Sequence, residues 1–241
     1  MDINIEKYSK YKEALYTNLS FFPMVSIEKD DMDMCKIFSE KMNKIGFKHW
    51  IKRSEDNSLT HRKASLDNLF GKIGEFVVYR TFKKIFGNKI KDEDISLPDC
   101  KIYNFQNKNF EPDLFIKNSF FCIKTYRFTG ITNRISWVIQ KNDTNSNFGR
   151  DKYFFGDNTT KSGFACFVIL NESLDGGRII SLVDINDIIS NRDLLYEDME
   201  FNKYRTTKRA IYLDKLCELN LMPLYYEKIK WINKYIIKNI G

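Results

Sequence analysis

Three side chains of this sequence are of types that do chemistry when they meet: Asp113, Lys124 and Glu75. The stretch from Phe110 to Arg127 reads Phe-Glu-Pro-Asp-Leu-Phe-Ile, then Lys-Asn-Ser, then Phe-Phe-Cys-Ile-Lys-Thr-Tyr-Arg. Two apolar, aromatic-rich runs around a short polar break predict a β-hairpin. Pro112 donates no ladder hydrogen bond, so the first run begins there or forms an edge strand. Asp113 then stands at the mouth of the first strand. Along the second, alternation sends Phe120, Cys122, Lys124 and Tyr126 to one face and Phe121, Ile123 and Thr125 to the other. A lysine inside an apolar strand is costly to bury alone, and Asp113 is its candidate partner. Glu75 falls in a helical pattern that is apolar on two sides, where a carboxylate needs a cation or several donors to stay charged. Its alternative is structural: pairing with an arginine or capping a neighbouring element. Carboxylate oxygens are hard donors, suited to Mg²⁺ rather than to a soft metal.

An Asp at the start of one strand, a hairpin, and a Lys inside the next resembles the PD-(D/E)XK nuclease superfamily. The matching residues are Pro112-Asp113 and Cys122-Ile123-Lys124, and the similarity spans roughly residues 66–140. In that family a glutamate on an upstream helix often joins the site, which the resemblance assigns to Glu75 in Gly71-Lys72-Ile73-Gly74-Glu75-Phe76. Cys122 departs from the pattern, standing where the family usually has Asp or Glu. It is a small core residue in an acid's place, a weak contributor to a softer metal site, or the mark of a nuclease that has lost activity. The resemblance implies a restriction-endonuclease-like α/β fold and a Mg²⁺-dependent endonuclease acting on duplex DNA as a homodimer, with Mn²⁺ as a substitute and no organic cofactor. In that scheme Glu75 and Asp113 are metal ligands, the Ile123 carbonyl is a further ligand, and Lys124 positions the attacking water and stabilises the pentavalent phosphate. Gln140, on a strand expected beside the hairpin, orients the water or is simply a surface-facing polar residue.

The rest of the composition narrows the classes. Five cysteines, none in a Cys-x-x-Cys pair, argue against a disulfide framework or zinc knuckle and for a reducing, cytoplasmic setting. With two histidines, His49 and His61, hydrolytic chemistry built on a histidine base is confined to those positions, and neither lies in a convincing motif. No apolar run reaches the ~18 residues of a membrane span, and the first residues lack the order of a signal peptide. Basic residues exceed acidic ones by 39 − 32 = 7. That excess is compatible with nucleic acid and equally with the composition of an AT-rich genome. Its distribution says more. Between Asp113 and Asp143 there is no acid, whereas Lys117, Lys124, Arg127, Arg134 and Lys141 all occur, a one-signed patch beside the candidate site. Arg127, Arg134, Lys141, Arg62 and Lys63 are the candidate DNA-binding residues.

The elements that must position these groups read as follows. Helices are predicted over residues 5–19 and 31–45, with Gly46 as a stop. Residues 48–65 read as a polar, basic loop that contacts DNA or is an ordinary solvated linker. Residues 66–86 give the strongest helix signal, with interior Gly71 and Gly74 pointing to a packing or close-approach requirement. A short strand over 101–105 precedes the hairpin; strands follow over 135–140, 163–170 and 178–183, the third of these strands after a turn at Asp175-Gly176-Gly177. Residues 143–160 read as a long loop on the DNA-facing rim, the chain beyond Asn186 as helix and short extended pieces, and a last helix starts near Pro223. That last helix is a dimer surface or packs on its own sheet.

The expected architecture is one domain over 1–241: an N-terminal helical and loop region at 1–65, an α/β core of about five strands at 66–185, and a C-terminal helical region at 186–241. Trp137, Tyr126 and Arg127 are each a reader or a core residue. Two other functional classes remain open: a catalytically inactive DNA-binding protein on the same scaffold, and an RNA-directed nuclease.

Overall fold

The structure, a computed structural model, describes residues 22–53, 61–102, 112–127, 135–140, 152–155, 163–198 and 208–219. In chain order the elements are β1 (Val25–Ser26), α1 (Lys29–Arg53), α2 (His61–Phe86), β2 (Leu114–Ile116), β3 (Ser119–Arg127), β4 (Ser136–Gln140), β5 (Gly163–Leu170), β6 (Gly176–Asp184), α3 (Ile185–Ser190), α4 (Arg192–Leu195), β7 (Tyr196–Asp198), β8 (Lys208–Tyr212) and α5 (Leu213–Glu218). The fold is mixed α/β. Five strands form one mixed sheet in the order β1-β6-β5-β3-β2, and three form a second in the order β4-β8-β7.

The hairpin forms where alternation predicts it. Leu114 pairs with Phe121 and Ile116 with Ser119, leaving a two-residue turn. Lys117 supplies the left-handed conformation such a turn demands, at φ +50. β3 then runs parallel to β5, from Phe120 opposite Gly163 to Arg127 opposite Leu170. All eight residues of β5 are buried, because Phe-Ala-Cys-Phe-Val-Ile-Leu is covered on both sides. On one side Phe164, Cys166 and Val168 pack with Phe121 and Ile123 of β3 and with Ile73, Phe76, Val77 and Phe82 of α2. On the other, Ala165, Phe167 and Ile169 pack with Phe120 and Cys122 and with Trp137, Ile139 and Ile211 of the second sheet. The indole of Trp137 also donates to the Val168 carbonyl at 3.3 Å.

Four expectations change. α1 does not stop at Gly46 but continues to Arg53. One interior glycine costs a helix only ~1 kcal/mol, too little to end it without an αL cap. The basic stretch expected as a loop is therefore helical at both ends: Lys48 to Arg53 close α1, and α2 starts at His61, five residues before the predicted start, so that Arg62 and Lys63 lie in its first turn. Lys101 and Ile102, the described part of the strand expected over 101–105, are not strand, and 103–105 lie outside the described residues. Finally, β4 is not beside the hairpin in its sheet; it pairs antiparallel with β8, Gln140 opposite Lys208, in the second sheet. The helix expected over 5–19, the one near Pro223, and Arg134 and Lys141 lie outside the described residues. Among the described residues no helix is long and apolar enough to cross a membrane.

Candidate active site

α2 lies close against β3. A Cβ on Gly74 would fall 1.9 Å from Thr125 Oγ1, so the absence of a side chain lets the helix backbone rest on the strand. One ring contact further down the interface, Phe82 and Phe121 have centroids 5.0 Å apart, and at the other end the Arg127 guanidinium lies 5.1 Å from the Phe70 ring. This alignment delivers Glu75, the residue after Gly74, to the strand level of Ile123 and Thr125. Glu75 is 8% exposed.

Asp113 reaches the same level from the hairpin. β2 begins one residue later, so Ile123 has no ladder partner there for its N–H. The Asp113 carboxylate takes that place: its Oδ2 accepts the Ile123 N–H at 2.6 Å, while its own backbone N–H donates to the Phe121 carbonyl at 3.1 Å. The aspartate thereby extends the strand pairing by one step and is fixed at the hairpin mouth.

The partner of Glu75 is one that sequence reasoning missed. Lys72, one helical turn before it, donates to Glu75 Oε2 at 2.5 Å and is itself buried, 8% exposed. Its ammonium lies 4.7 Å from the ring centroid of Phe38 on α1. The i,i+3 spacing was the available signal. What hid it is that the burial comes from α1, a tertiary contact.

The electrostatics follow from this burial. Loss of solvent outweighs the pull of Lys72, and with the charges of Asp113 and Asp99 adding to it the Glu75 carboxyl is pushed up to about 8. For Lys72, burial works against the ammonium, but the attraction of Glu75 and then of Asp113 prevails and its pKa is raised. Glu75 and Asp113 thus sense each other, and burial beside a second acid lets Glu75 hold its proton into the neutral range. The nearby thiols take no part as thiolates: burial pushes Cys35 up to about 12 and also raises Cys100.

Lys124 is carried on the face of β3 shared with Phe120 and Cys122, and its ammonium lies 5.4 Å from the Phe154 ring centroid. Cys122 is buried in the apolar cluster with Phe120 and Trp137, which fits the small-core reading of that residue. Arg127 is half-buried beside Phe70, with Nε lacking a hydrogen-bond partner among the described residues. The side chains of Gln140, Arg62 and Lys63 lie outside the described residues.

The donor set can be weighed against a metal. Among the described residues no three His, Cys, Asp or Glu side chains come together as a chelating group. Two carboxylates with a backbone carbonyl are too few for a cage that binds by protein alone. They suit Mg²⁺, which keeps several waters and takes one or two carboxylates together with substrate phosphate oxygens. Comparison with protein-family models, with curated proteins and with solved structures found no match to this chain.

Proposed function

We propose that the protein is a Mg²⁺-dependent endonuclease of the restriction-endonuclease-like class, hydrolysing phosphodiester bonds of duplex DNA. The observation that carries this reading is that two carboxylates from separate elements stand near enough for the charge of Asp113 to raise the pKa of Glu75. Glu75 is buried on α2, and Asp113 is bound to the Ile123 amide where β2 ends. A divalent ion supplies Lewis acidity toward a phosphate oxygen and a bound water of lowered pKa. Glu75 and Asp113 would hold it, and the Ile123 carbonyl would offer a third donor. Lys124 leaves β3 on the face opposite α2, and in this reading it contributes positive charge to the phosphoryl group from that side of the strand. Arg127 and the basic residues around it bind the flanking phosphates, a contribution that weakens as salt rises. Two copies of the chain put one site on each strand of the duplex.

A second reading has its own support. Cys122 fills a core position where an acid would otherwise complete the site, which favours a DNA-binding protein whose nuclease centre no longer cuts.

The test is incubation with supercoiled and linear duplex DNA at low salt in Mg²⁺, Mn²⁺ or EDTA, beside Lys124→Ala and Asp113→Asn. Discrete fragments that require metal and vanish in both variants support the nuclease. Intact DNA, RNA and single strands under every metal, with a clear mobility shift on duplex, transfer the conclusion to the binding protein. Cleavage of RNA alone moves it to an RNA-directed enzyme.

A further inference from the structure

We infer that Lys72 is the internal counter-cation of the Glu75–Asp113 pair, so that a divalent ion enters this site only in competition with the lysine ammonium. The inference deepens the nuclease reading and rests on it for the identity of the two carboxylates as ligands. Three features of the geometry support it. Lys72 and Glu75 are both 8% exposed, so neither is neutralised by bulk solvent, and the 2.5 Å bond between them is the main compensation each has for leaving water. The ammonium is seated rather than free to swing, because Phe38 of α1 covers it with a ring face at 4.7 Å. And the same ammonium is attracted by Asp113 as well as by Glu75, so it stands in the field of both carboxylates. Of the charged neighbours that influence Glu75 most, Lys72 is the cation and Asp113 and Asp99 are acids.

A fixed monocation at that place does two things. It lets two acids stay folded together without a metal, and it sets a threshold against metal binding in the resting protein. A substrate phosphate, arriving with its own oxygen ligands and negative charge, is what tips the competition toward the dication. Lys72 acts through Glu75 and Asp113 and is a positioning residue in this scheme.

The experiment is a titration of Mn²⁺ alone into the full-length protein, read by the free-Mn²⁺ resonance or by calorimetry, for wild type, Lys72→Met, Glu75→Gln and the double variant. Methionine keeps an unbranched apolar stem under Phe38 and removes the charge. Lys72→Met should bind Mn²⁺ at least about tenfold more tightly than wild type, since a unit charge a few ångströms from a dication changes association by more than a decade even at an effective dielectric of about 20. In the Glu75→Gln background the gain from Lys72→Met should disappear. Affinity in Lys72→Met that is equal to or weaker than in wild type overturns the inference. If Lys72→Met unfolds without metal, its refolding in millimolar Mn²⁺ supports the role, and failure to refold there overturns it. A parallel cleavage assay separates the two conclusions. Tighter Mn²⁺ binding in a protein that cuts nothing keeps the counter-cation and removes the nuclease; cleavage by wild type with unchanged affinity in Lys72→Met does the reverse.

Discussion

Replacing Gly74 by alanine tests the packing that places Glu75. In an exposed helix this change gains about 1 kcal/mol from helix propensity. Here the new Cβ would stand 1.9 Å from Thr125 Oγ1 and 2.9 Å from both Thr125 Cβ and Cγ2. Ordinary contact begins at 3.4 Å, so the worst overlap is 3.4 − 1.9 = 1.5 Å. Threonine cannot turn out of the way: a rotation about χ1 exchanges one branch for the other and leaves its Cβ in place. The helix must therefore lift from the strand. Overpacking of this kind costs about 1 to 3 kcal/mol, and an overlap this large belongs at the upper end. Set against the propensity gain, the net loss is about 2 kcal/mol, or roughly 4 to 8 °C in Tm for a chain of this size. Thr125→Ala removes the two branch atoms, including an Oγ1 that is buried without a hydrogen-bond partner among the described residues, so the double variant should recover most of the loss. Urea denaturation of the four proteins gives the coupling directly. A lifted helix also withdraws Glu75 from Asp113, and a misplacement of about 1 Å costs on the order of 100-fold in rate. If Gly74→Ala is as stable as wild type or more so, or if the two substitutions are additive, the close approach of α2 to β3 is wrong and the placement of Glu75 with it.

Other expectations are more local. Asp31, 4% exposed, accepts from Arg80 Nε at 2.7 Å and Nη2 at 2.8 Å and from the Glu28 amide at 3.1 Å, tying α1 to α2. Asp31→Ala should cost about 1 to 3 kcal/mol in a denaturation curve, and a change under about 0.5 kcal/mol would show that the link is idle. Asp113→Asn keeps an oxygen for the Ile123 amide, so Tm should hold while metal-dependent cleavage disappears; Asp113→Ala should lose both, with a stability cost of about 1.5 to 3 kcal/mol. Equal melting of the two variants would sink the capping role. Glu75 has a pH signature. Its folded value of about 8 lies above the ordinary 4.5, so its contribution to stability is complete below 4.5 and is lost as pH rises toward and through 8. The Tm advantage of wild type over Glu75→Gln should therefore shrink between pH 5 and pH 8. A difference that stays constant or grows across that window contradicts burial of the carboxyl.

The hairpin, the alternation of β3 and the wholly apolar β5 were legible in the sequence because each is a short-range pattern whose period matches its element. The burial of Glu75 followed from the two-sided apolar character of α2, and the packing role of Gly74 from a glycine where a helix gains by alanine. What was not legible depended on partners distant in the chain. β4 reads as a strand anywhere, but its neighbour β8 lies about 70 positions later, Ser136 opposite Tyr212 and Gln140 opposite Lys208, and no local signal names that neighbour. Gly46 had the composition of a stop without the left-handed cap that makes one. Lys72 drew no reading from the sequence, because what buries it is Phe38 of α1.

The outer side of β2 has a bearing on how copies of this chain can meet. Its three residues are not left bare: Ile95 bridges Ile116, the Ser96 amide donates to the Phe115 carbonyl at 2.9 Å, the Ser96 hydroxyl accepts the Phe115 amide at 2.8 Å, and the Lys117 amide donates to the Asp94 carbonyl at 2.7 Å. An edge strand with its amides and carbonyls already engaged offers no template for another strand. Self-association by extending the sheet through β2 is closed off, and with it the commonest route by which an exposed β edge turns into aggregation. Just beyond that clasp the Asp113 carboxylate accepts the Ile123 amide, so at one step of its length the backbone of β3 is held by a side chain instead of a neighbouring strand.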